Sequence, residues 1–322
     1  MRVGLDTSPL VQTQAGTARY IRGLGQLEAL PGLELRRLSF GGPGKVSTLT
    51  RDLWWYPLEL PRLAKHLDVL HCPTFRGPVR SGVPVVVTVH DLAVLRHPET
   101  FNQWTRRYSR LVVPRVARAA RRVIAVSEFT RGEIVELLGV SAERIAVIPN
   151  AVGPPFVADG PAAEGDYVLA VGTLEPRKNL ALVQQAARAL AVELRVVGSR
   201  GWGDVQVDGW LGRVSDDELA ALYRGARCLV YPSLYEGFGI PVLEAMACGT
   251  PVVTSAGGAT EEVAGGAAVL VDPHDVAAIA AGIEEAETRR DELRGRGLER
   301  AAGFTWERVA AETRKVYEAA AA

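Results

Sequence analysis

Short apolar, β-branched runs recur along the chain. Each ends at a glycine, proline or polar residue and gives way to a stretch with helical spacing. Residues 83–89 are nearly continuous valine, as in a strand buried on both faces. The same pattern predicts strands at Arg2–Asp6, 34–40, 68–72, 123–126 and 144–148. Between them it predicts helices over about 19–29, 104–122 (interrupted at Pro114) and 128–138. Leu53-Trp-Trp-Tyr-Pro57 reads as an aromatic cluster just ahead of a helix, serving either packing or an acceptor site. Residues 152–165, rich in proline, alanine and glycine, read as a linker. Beyond it come strands at Tyr167–Val171, Glu193–Val197, a short one ending at Val214, then 228–231, 252–253 and 267–271. Helices are expected over 180–190, from Asp216, over 242–248, over the alanine-rich 275–300 and over 306–319. Strand and helix alternating in this way predict parallel, doubly wound α/β sheets. At 322 residues, two domains are expected.

The ends of these elements carry their own signals. Ser127, Asn179, Ser215 and Thr305 precede helices as candidate caps, with Phe304 against Val309 as a staple. Gly139 and Gly249 stand where left-handed C-caps belong, and Pro241 suits a first helical turn.

Candidate chemistry gathers at strand ends. In the stretch 231–251, a proline-ended strand enters a loop with two glycines and then a short helix. Glu236 lies in the loop and Glu244 about one turn into the helix. Loop amides and the positive helix start make an anion site, and the two acids can accept bonds from sugar hydroxyls. Arg177 and Lys178 stand at another strand end just before a helix, where a guanidinium fork and a point charge suit a diphosphate. His90-Asp91 follows the buried valine strand, and Gly16-Thr17 follow the first strand in a polar loop. That loop is not the G-x-G-x-x-G of dinucleotide-binding proteins.

The composition, 48% apolar and 23% charged, is that of an ordinary soluble chain, and no apolar run reaches the roughly 20 residues of a membrane helix. The start leads directly into a strand, so no signal peptide is expected, and a cytoplasmic location follows. Cys72, Cys228 and Cys248 lack metal-ligand spacing and read as buried thiols; the five histidines form no zinc pattern. No metal and no cofactor are expected. Net charge is zero, yet residues 1–152 hold 21 Lys+Arg against 12 Asp+Glu, and residues 153–322 hold 16 against 25. Seven arginines fall in 104–122. A solvated helix face is the preferred reading for them; peripheral contact with an anionic membrane is the alternative, and nucleic acid is not indicated.

The segment 231–253, with Glu236 and Glu244 around Gly237-Phe238-Gly239, resembles the signature of retaining GT-B glycosyltransferases of family 4. The resemblance is specific over 167–262 and generic over 1–150. It implies two Rossmann-like domains facing a cleft: 1–152 for acceptor, 153–303 for nucleotide sugar, and 304–322 crossing back to the first, with Trp306 and Tyr317 as anchors. The implied activity is transfer of a sugar from a nucleoside diphosphate donor to a hydroxyl acceptor, in glycan or glycolipid synthesis, with configuration kept. It implies catalytic roles for Glu236, Arg177, Lys178 and His90, and donor contacts at Glu244, Gly237, Phe238, Gly239 and Ile240. By position alone it adds Gly212, Val214, Gly16 and Thr17, although Ala18 replaces a glycine common in relatives and weakens the last two. The segment 90–101 is similar to bacterial mannosyltransferases, which favours GDP-mannose over UDP-glucose or UDP-N-acetylglucosamine; the acceptor is left open between a lipid-linked saccharide, a growing polysaccharide and a small metabolite. A GT-B nucleotide-sugar epimerase and a catalytically silent nucleotide-sugar-binding protein are the alternatives.

Overall fold

The computed structural model describes residues 1–11, 16–101, 103–201, 203 and 205–322. Two compact units emerge, 1–151 with 306–322, and 152–305. The returning segment carries three acids and three bases, so the first unit keeps its excess of nine positive charges.

The first unit contains strands β1 (Arg2–Asp6), β2 (Glu34–Leu38), β3 (Val69–Cys72), β4 (Val85–Val89), β5 (Arg122–Ala125) and β6 (Ile145–Val147). They form one parallel sheet in the order β2-β1-β3-β4-β5-β6. All five β4 residues are buried, as a continuous valine run requires. One face packs on helices from 45–63, 103–119 and 128–138, the other on 16–29 and Trp306–Ala321. Gly23 lets the last helix seat: a Cβ there would lie 2.1 Å from the Trp306 ring. Tyr317, fully buried, bonds through its hydroxyl to His71 Nδ1 (2.7 Å).

The second unit contains β7 (Tyr167–Val171), β8 (Glu193–Val197), β9 (Trp210–Gly212), β10 (Leu229–Tyr231), β11 (Val252–Ser255) and β12 (Val269–Val271). Their order is β12-β11-β10-β7-β8-β9, again all parallel. Each sheet reverses its winding beside its first strand, between β1 and β3 in one and between β7 and β10 in the other. At such reversals the loops at the strands' carboxyl ends splay apart and leave room for a ligand.

Several local expectations change. The helix placed at 19–29 begins at Gly16 and tightens to 3-10 geometry over Leu24–Ala29, so Gly16 and Thr17 are helical rather than loop. Pro114 does not interrupt Gln103–Ala119: its missing N–H is one ladder bond in seventeen residues, and the buried Tyr108, Val113 and Val116 hold the helix across it. The helix stops at Ala119, and Arg122 begins β5. The aromatic cluster lies within a helix, since Lys45–Thr50 runs on into a π-helical Arg51–Glu59 that contains Pro57. Val214 lies beyond its strand, which ends at Gly212. Phe304 packs edge-on against Phe238 (6.1 Å between centroids) and under the Arg300 guanidinium. The caps at Ser127 and Ser215 form, the latter as a full capping box with Glu218. Gly139 and Gly249 adopt left-handed φ of 63° and 73°.

Candidate functional site

The β7/β10 reversal is where the second unit concentrates its charge. After β7 the chain passes Gly172, whose hydrogen lets the Lys178 stem pack on it; a Cβ would meet Lys178 Cδ at 3.1 Å. Pro176–Lys178 forms one 3-10 turn, and Asn179 follows at φ 59°. That left-handed backbone turns the Asn179 side chain away from the helix it was expected to cap. Its amide instead donates to the carbonyls of Pro232 (3.1 Å) and Pro273 (2.5 Å), tying together the loops after β7, β10 and β12. The loop after β10 is held further by Leu234 N–H on the Arg177 carbonyl (2.9 Å) and Ser255 Oγ on the Ser233 carbonyl (2.7 Å).

This framework brings Arg177, Lys178 and Glu236 together. Lys178 Nζ donates to Glu236 Oε1 (2.5 Å) and to the Tyr231 hydroxyl (2.8 Å), which itself donates to Glu236 Oε1 (2.9 Å). Arg177 donates to Glu175 Oε1 (2.6 Å), the Tyr235 carbonyl (2.7 Å) and Glu236 Oε2 (3.4 Å). The two cations read as suited to a diphosphate are thus paired with carboxylates within the protein. Glu175 and the Tyr231 hydroxyl were not singled out from sequence. Both flank motif residues, but only the fold shows that they turn inward.

Burial alone would push the Glu236 carboxyl up. Lys178 and then Arg177 outweigh it and hold the group below the usual carboxylate range. Burial pulls the Lys178 ammonium down, and Glu236 more than reverses this, so it stays above an ordinary lysine. Tyr231 is pushed up to about 12 by burial, then by Glu236. At neutral pH the cluster is therefore carboxylate, ammonium and phenol. Glu236 can accept hydrogen bonds there but has no proton to give.

The following helix, Ile240–Ala247, starts after Gly239 at φ 101°, and a Cβ on that glycine would press to 3.0 Å from Thr260 Cγ2. Phe238 is buried against Phe304, so what it offers a ligand is backbone. Glu244 points into the interior, 2% exposed, and accepts from the Tyr223 hydroxyl (3.0 Å). Ile240 is half-buried beside it in sequence. Gly212, at φ 76°, accepts from Gly198 N–H (2.9 Å), and Val214 is half-buried two residues on. A Cβ on Gly198 would lie 1.9 Å from the Gly172 carbonyl oxygen, so these loops meet backbone to backbone.

His90 and Gly16-Thr17 belong to the first unit. His90 donates from Nε2 to the Pro73 carbonyl (3.0 Å), which can only accept, leaving Nδ1 as the unprotonated nitrogen. Its ring meets Tyr20 edge-on at 4.8 Å. Burial draws its imidazole below the ordinary value, against the Pro73 bond and Asp91. Gly16 and Thr17 are half-buried in the first turn of their helix.

The profile of the family described as Glycosyl transferases group 1 matches residues 158–302, and that of Glycosyltransferase Family 4 matches 28–154. Among curated relatives, the O-antigen chain mannosyltransferase B of Escherichia coli is 36% identical over 282 residues, covering 78% of this chain and 74% of that one. An MMP alpha-(1->4)-mannosyltransferase of Mycolicibacterium hassiacum is 31% identical over 76% of this chain and 67% of its own. Among solved structures, the sucrose-phosphate synthase of Thermosynechococcus elongatus superposes with a TM-score of 0.77 at 20% identity, over 99% of this chain and 98% of that one. WaaG, a glycosyltransferase involved in lipopolysaccharide biosynthesis, does so at 0.73 and 14% identity, over 98% and 99%.

Proposed function

This chain belongs to the GT-B glycosyltransferases of family 4, and from that membership we propose that it transfers mannose from GDP-mannose to a hydroxyl of a saccharide or lipid-linked saccharide, keeping the anomeric configuration. The observation that carries the reading is the Lys178–Glu236–Tyr231 cluster at the β7/β10 reversal. Lys178 spends two of its three N–H hydrogens on Glu236 and Tyr231, and among the described residues nothing takes the third. A fixed ammonium with one donor to spare, beside an ionised carboxylate, suits a phosphate joined to a sugar: the ammonium takes phosphate oxygen, and Glu236 takes sugar hydroxyls.

In this reading residues 153–303 hold the donor and 1–152 the acceptor. Glu244 accepts from the ribose, and amides of 237–240 with those near Gly212 and Val214 hold the nucleotide. His90, Gly16 and Thr17, on the first unit, are further candidate donor contacts. The bond from the anomeric carbon to phosphate oxygen breaks, and the bond to the acceptor oxygen forms on the same face. The acceptor's proton passes to the departing phosphate, whose charge Arg177 and Lys178 stabilise. The E. coli relative's name, O-antigen chain mannosyltransferase B, supports mannose and a polysaccharide product.

The reading extends to a cytoplasmic enzyme touching anionic membrane through Gln103–Ala119, where Trp104 and Leu111 are exposed among arginines. Among the described residues no helix is long and apolar enough to cross a membrane. Co-sedimentation with phosphatidylglycerol vesicles, lost at high salt, tests this part. The transferase reading is tested by incubating the chain with GDP-mannose, UDP-glucose and UDP-N-acetylglucosamine beside mannosyl acceptors, with product anomers read by NMR. An α-mannoside from GDP-mannose is expected. An epimerised nucleotide sugar, or no turnover despite GDP binding, would overturn it.

A further inference from the structure

Ligands of sheets like these collect at the carboxyl ends of the strands. The first unit also has a cleft at the opposite end, about 620 Å³ in volume, where the chain enters β4 and β5. The five residues of β4 hold it roughly 16 Å from the His90 end. Its volume falls within the roughly 300 to 1,000 Å³ of small-molecule sites. Val83 and Pro84 give it an apolar wall, and Gly82 faces open space, since a Cβ there would meet nothing within 4 Å.

Arg80, Arg121, Arg122 and Arg144 line this cleft, and among the described residues no carboxylate does. Backbone carbonyls fix two of the four. Arg122 Nη1 donates to the Glu143 carbonyl (2.7 Å). Arg144 Nη2 donates to the carbonyls of Arg118 (2.8 Å) and Ala120, closing the end of the Gln103–Ala119 helix. Arg122 Nη2 and Arg144 Nη1 are left without a partner among the described residues. The side chains of Arg80 and Arg121 are exposed and bond nothing there at all. Glu143 lines an adjoining cleft; its carboxylate bonds Ser141 and feels Arg144 and Arg122 only at a distance. Elsewhere arginines are answered: Arg96, Arg227 and Arg289 each meet two carboxylates.

Four like charges around one concavity repel one another and draw in anions. We propose that this cleft binds a ligand carrying two phosphoryl groups, at a site separate from the β7/β10 reversal. One phosphoryl group carries about −1.5 to −2 near neutral pH, so two of them match four guanidiniums where a lone carboxylate would not. Guanidinium forks suit phosphate oxygens in pairs, and the apolar wall takes the carbon skeleton. A soluble phosphate ester and a lipid headgroup present the same chemistry to the arginines.

The test is hydrogen exchange on the full chain titrated with inorganic pyrophosphate. Slowed exchange over 78–85 and 119–122 reports this cleft, and slowed exchange over 172–179 reports the β7/β10 site, so each stands or falls alone. The decisive variant is Arg80→Ser with Arg121→Ser. Neither side chain bonds the protein, so melting and the response at 172–179 should be unchanged. Pyrophosphate affinity read at 78–85 should fall by about tenfold or more, the scale of one lost charge-assisted hydrogen bond. Arg22→Ser with Arg36→Ser removes the same charge from exposed positions of the same unit and should leave that affinity unaltered. Equal weakening by both pairs would overturn the inference, because net charge alone would then attract the anion. So would an absence of slowing over 78–85, or citrate bound as tightly as pyrophosphate. Phosphatidylcholine vesicles with and without phosphatidic acid identify the source of the phosphates. Sedimentation that needs phosphatidic acid and both arginines, and that pyrophosphate reverses, assigns them to a lipid headgroup. Pyrophosphate binding without such sedimentation assigns them to a soluble ligand.

Discussion

The two units share an architecture and differ in how they treat buried charge. Each is a six-stranded parallel sheet with its winding reversed beside its first strand. At the reversal of the second unit every charge is answered locally: Arg177 by Glu175 and Glu236, Lys178 by Glu236. At the reversal of the first, Asp6, Arg51, Trp55 and Tyr56 are buried together, and among the described residues Arg51 forms no ion pair. A closed ion cluster is a stiff, preorganised electrostatic device. Charge is met by opposite charge in one sheet and held by burial among aromatic side chains in the other.

The strongest way to break this comparison is to open the closed cluster. Arg177→Ala with Lys178→Ala should lower kcat by about a thousandfold or more, the scale of about 4 kcal/mol seen when preorganised donors to a developing charge are removed. GDP affinity should fall far less, and steady-state kinetics beside calorimetry separate the two. Near-normal kcat would place both cations outside the mechanism. Lys178→Met alone strands Glu236 as a buried carboxylate between Arg177 and Tyr231. Breaking a buried pair costs about 3 to 5 kcal/mol, measurable by urea unfolding. Adding Glu236→Gln should recover part of that stability without recovering activity.

The comparison also explains what could be read in the chain beforehand. The second unit's site is built from two contiguous stretches, 172–179 and 231–244, each with glycines and prolines at fixed places, so its members and its family were legible. The pairing of its charges was not, since it depends on how Asn179 turns in a left-handed conformation and clamps two other loops. The first unit's polar groups come from residues 6, 51, 55 and 56, and its buried histidine bonds a tyrosine 246 positions away. No spacing rule joins such residues. The aromatic cluster was visible, but the π-helical winding over Arg51–Glu59 hid its helical setting, because that period matches neither a strand nor an ordinary helix.

His71 offers a further test confined to the first unit. It bonds the Tyr317 hydroxyl and Thr88 Oγ1 (2.9 Å), and Thr88 bonds Tyr20, so the last helix is tied to β3, β4 and the first helix. Burial, and then His90, draws its imidazole down to about 3. A histidine lowered on folding is neutral in the native state and takes a proton once unfolded. Stability should therefore be full above the ordinary histidine pKa of about 6.5 and fall as pH drops toward 3, by up to about 1.4 kcal/mol per pH unit. Glu236 behaves oppositely in position: its contribution, present above the ordinary carboxylate range, is lost only as pH falls through a lowered value. Unfolding at pH 6.5, 5.5 and 4.5 should show the histidine slope, and His71→Gln should flatten it. A slope unchanged in that variant would assign the acid loss elsewhere.

The smallest effects set the units side by side at equivalent helix starts. Ser127 Oγ accepts from the Thr130 amide (3.0 Å) in the buried interior, whereas Ser215 Oγ accepts from the Glu218 amide (3.2 Å) on the surface. Alanine at either position removes one acceptor. At Ser215, water can take the exposed amide, and the Glu218 carboxylate keeps its bond to the Ser215 amide (2.8 Å). About 0.5 to 1 kcal/mol is expected there. At Ser127 no water reaches the fully buried site, so the Thr130 amide stays desolvated, and the loss should approach about 2 kcal/mol. Thermal melting of Ser127→Ala and Ser215→Ala measures both. Equal losses would show that the buried amide finds another partner, and that the first unit tolerates rearrangement at its strand ends more readily than its packing implies.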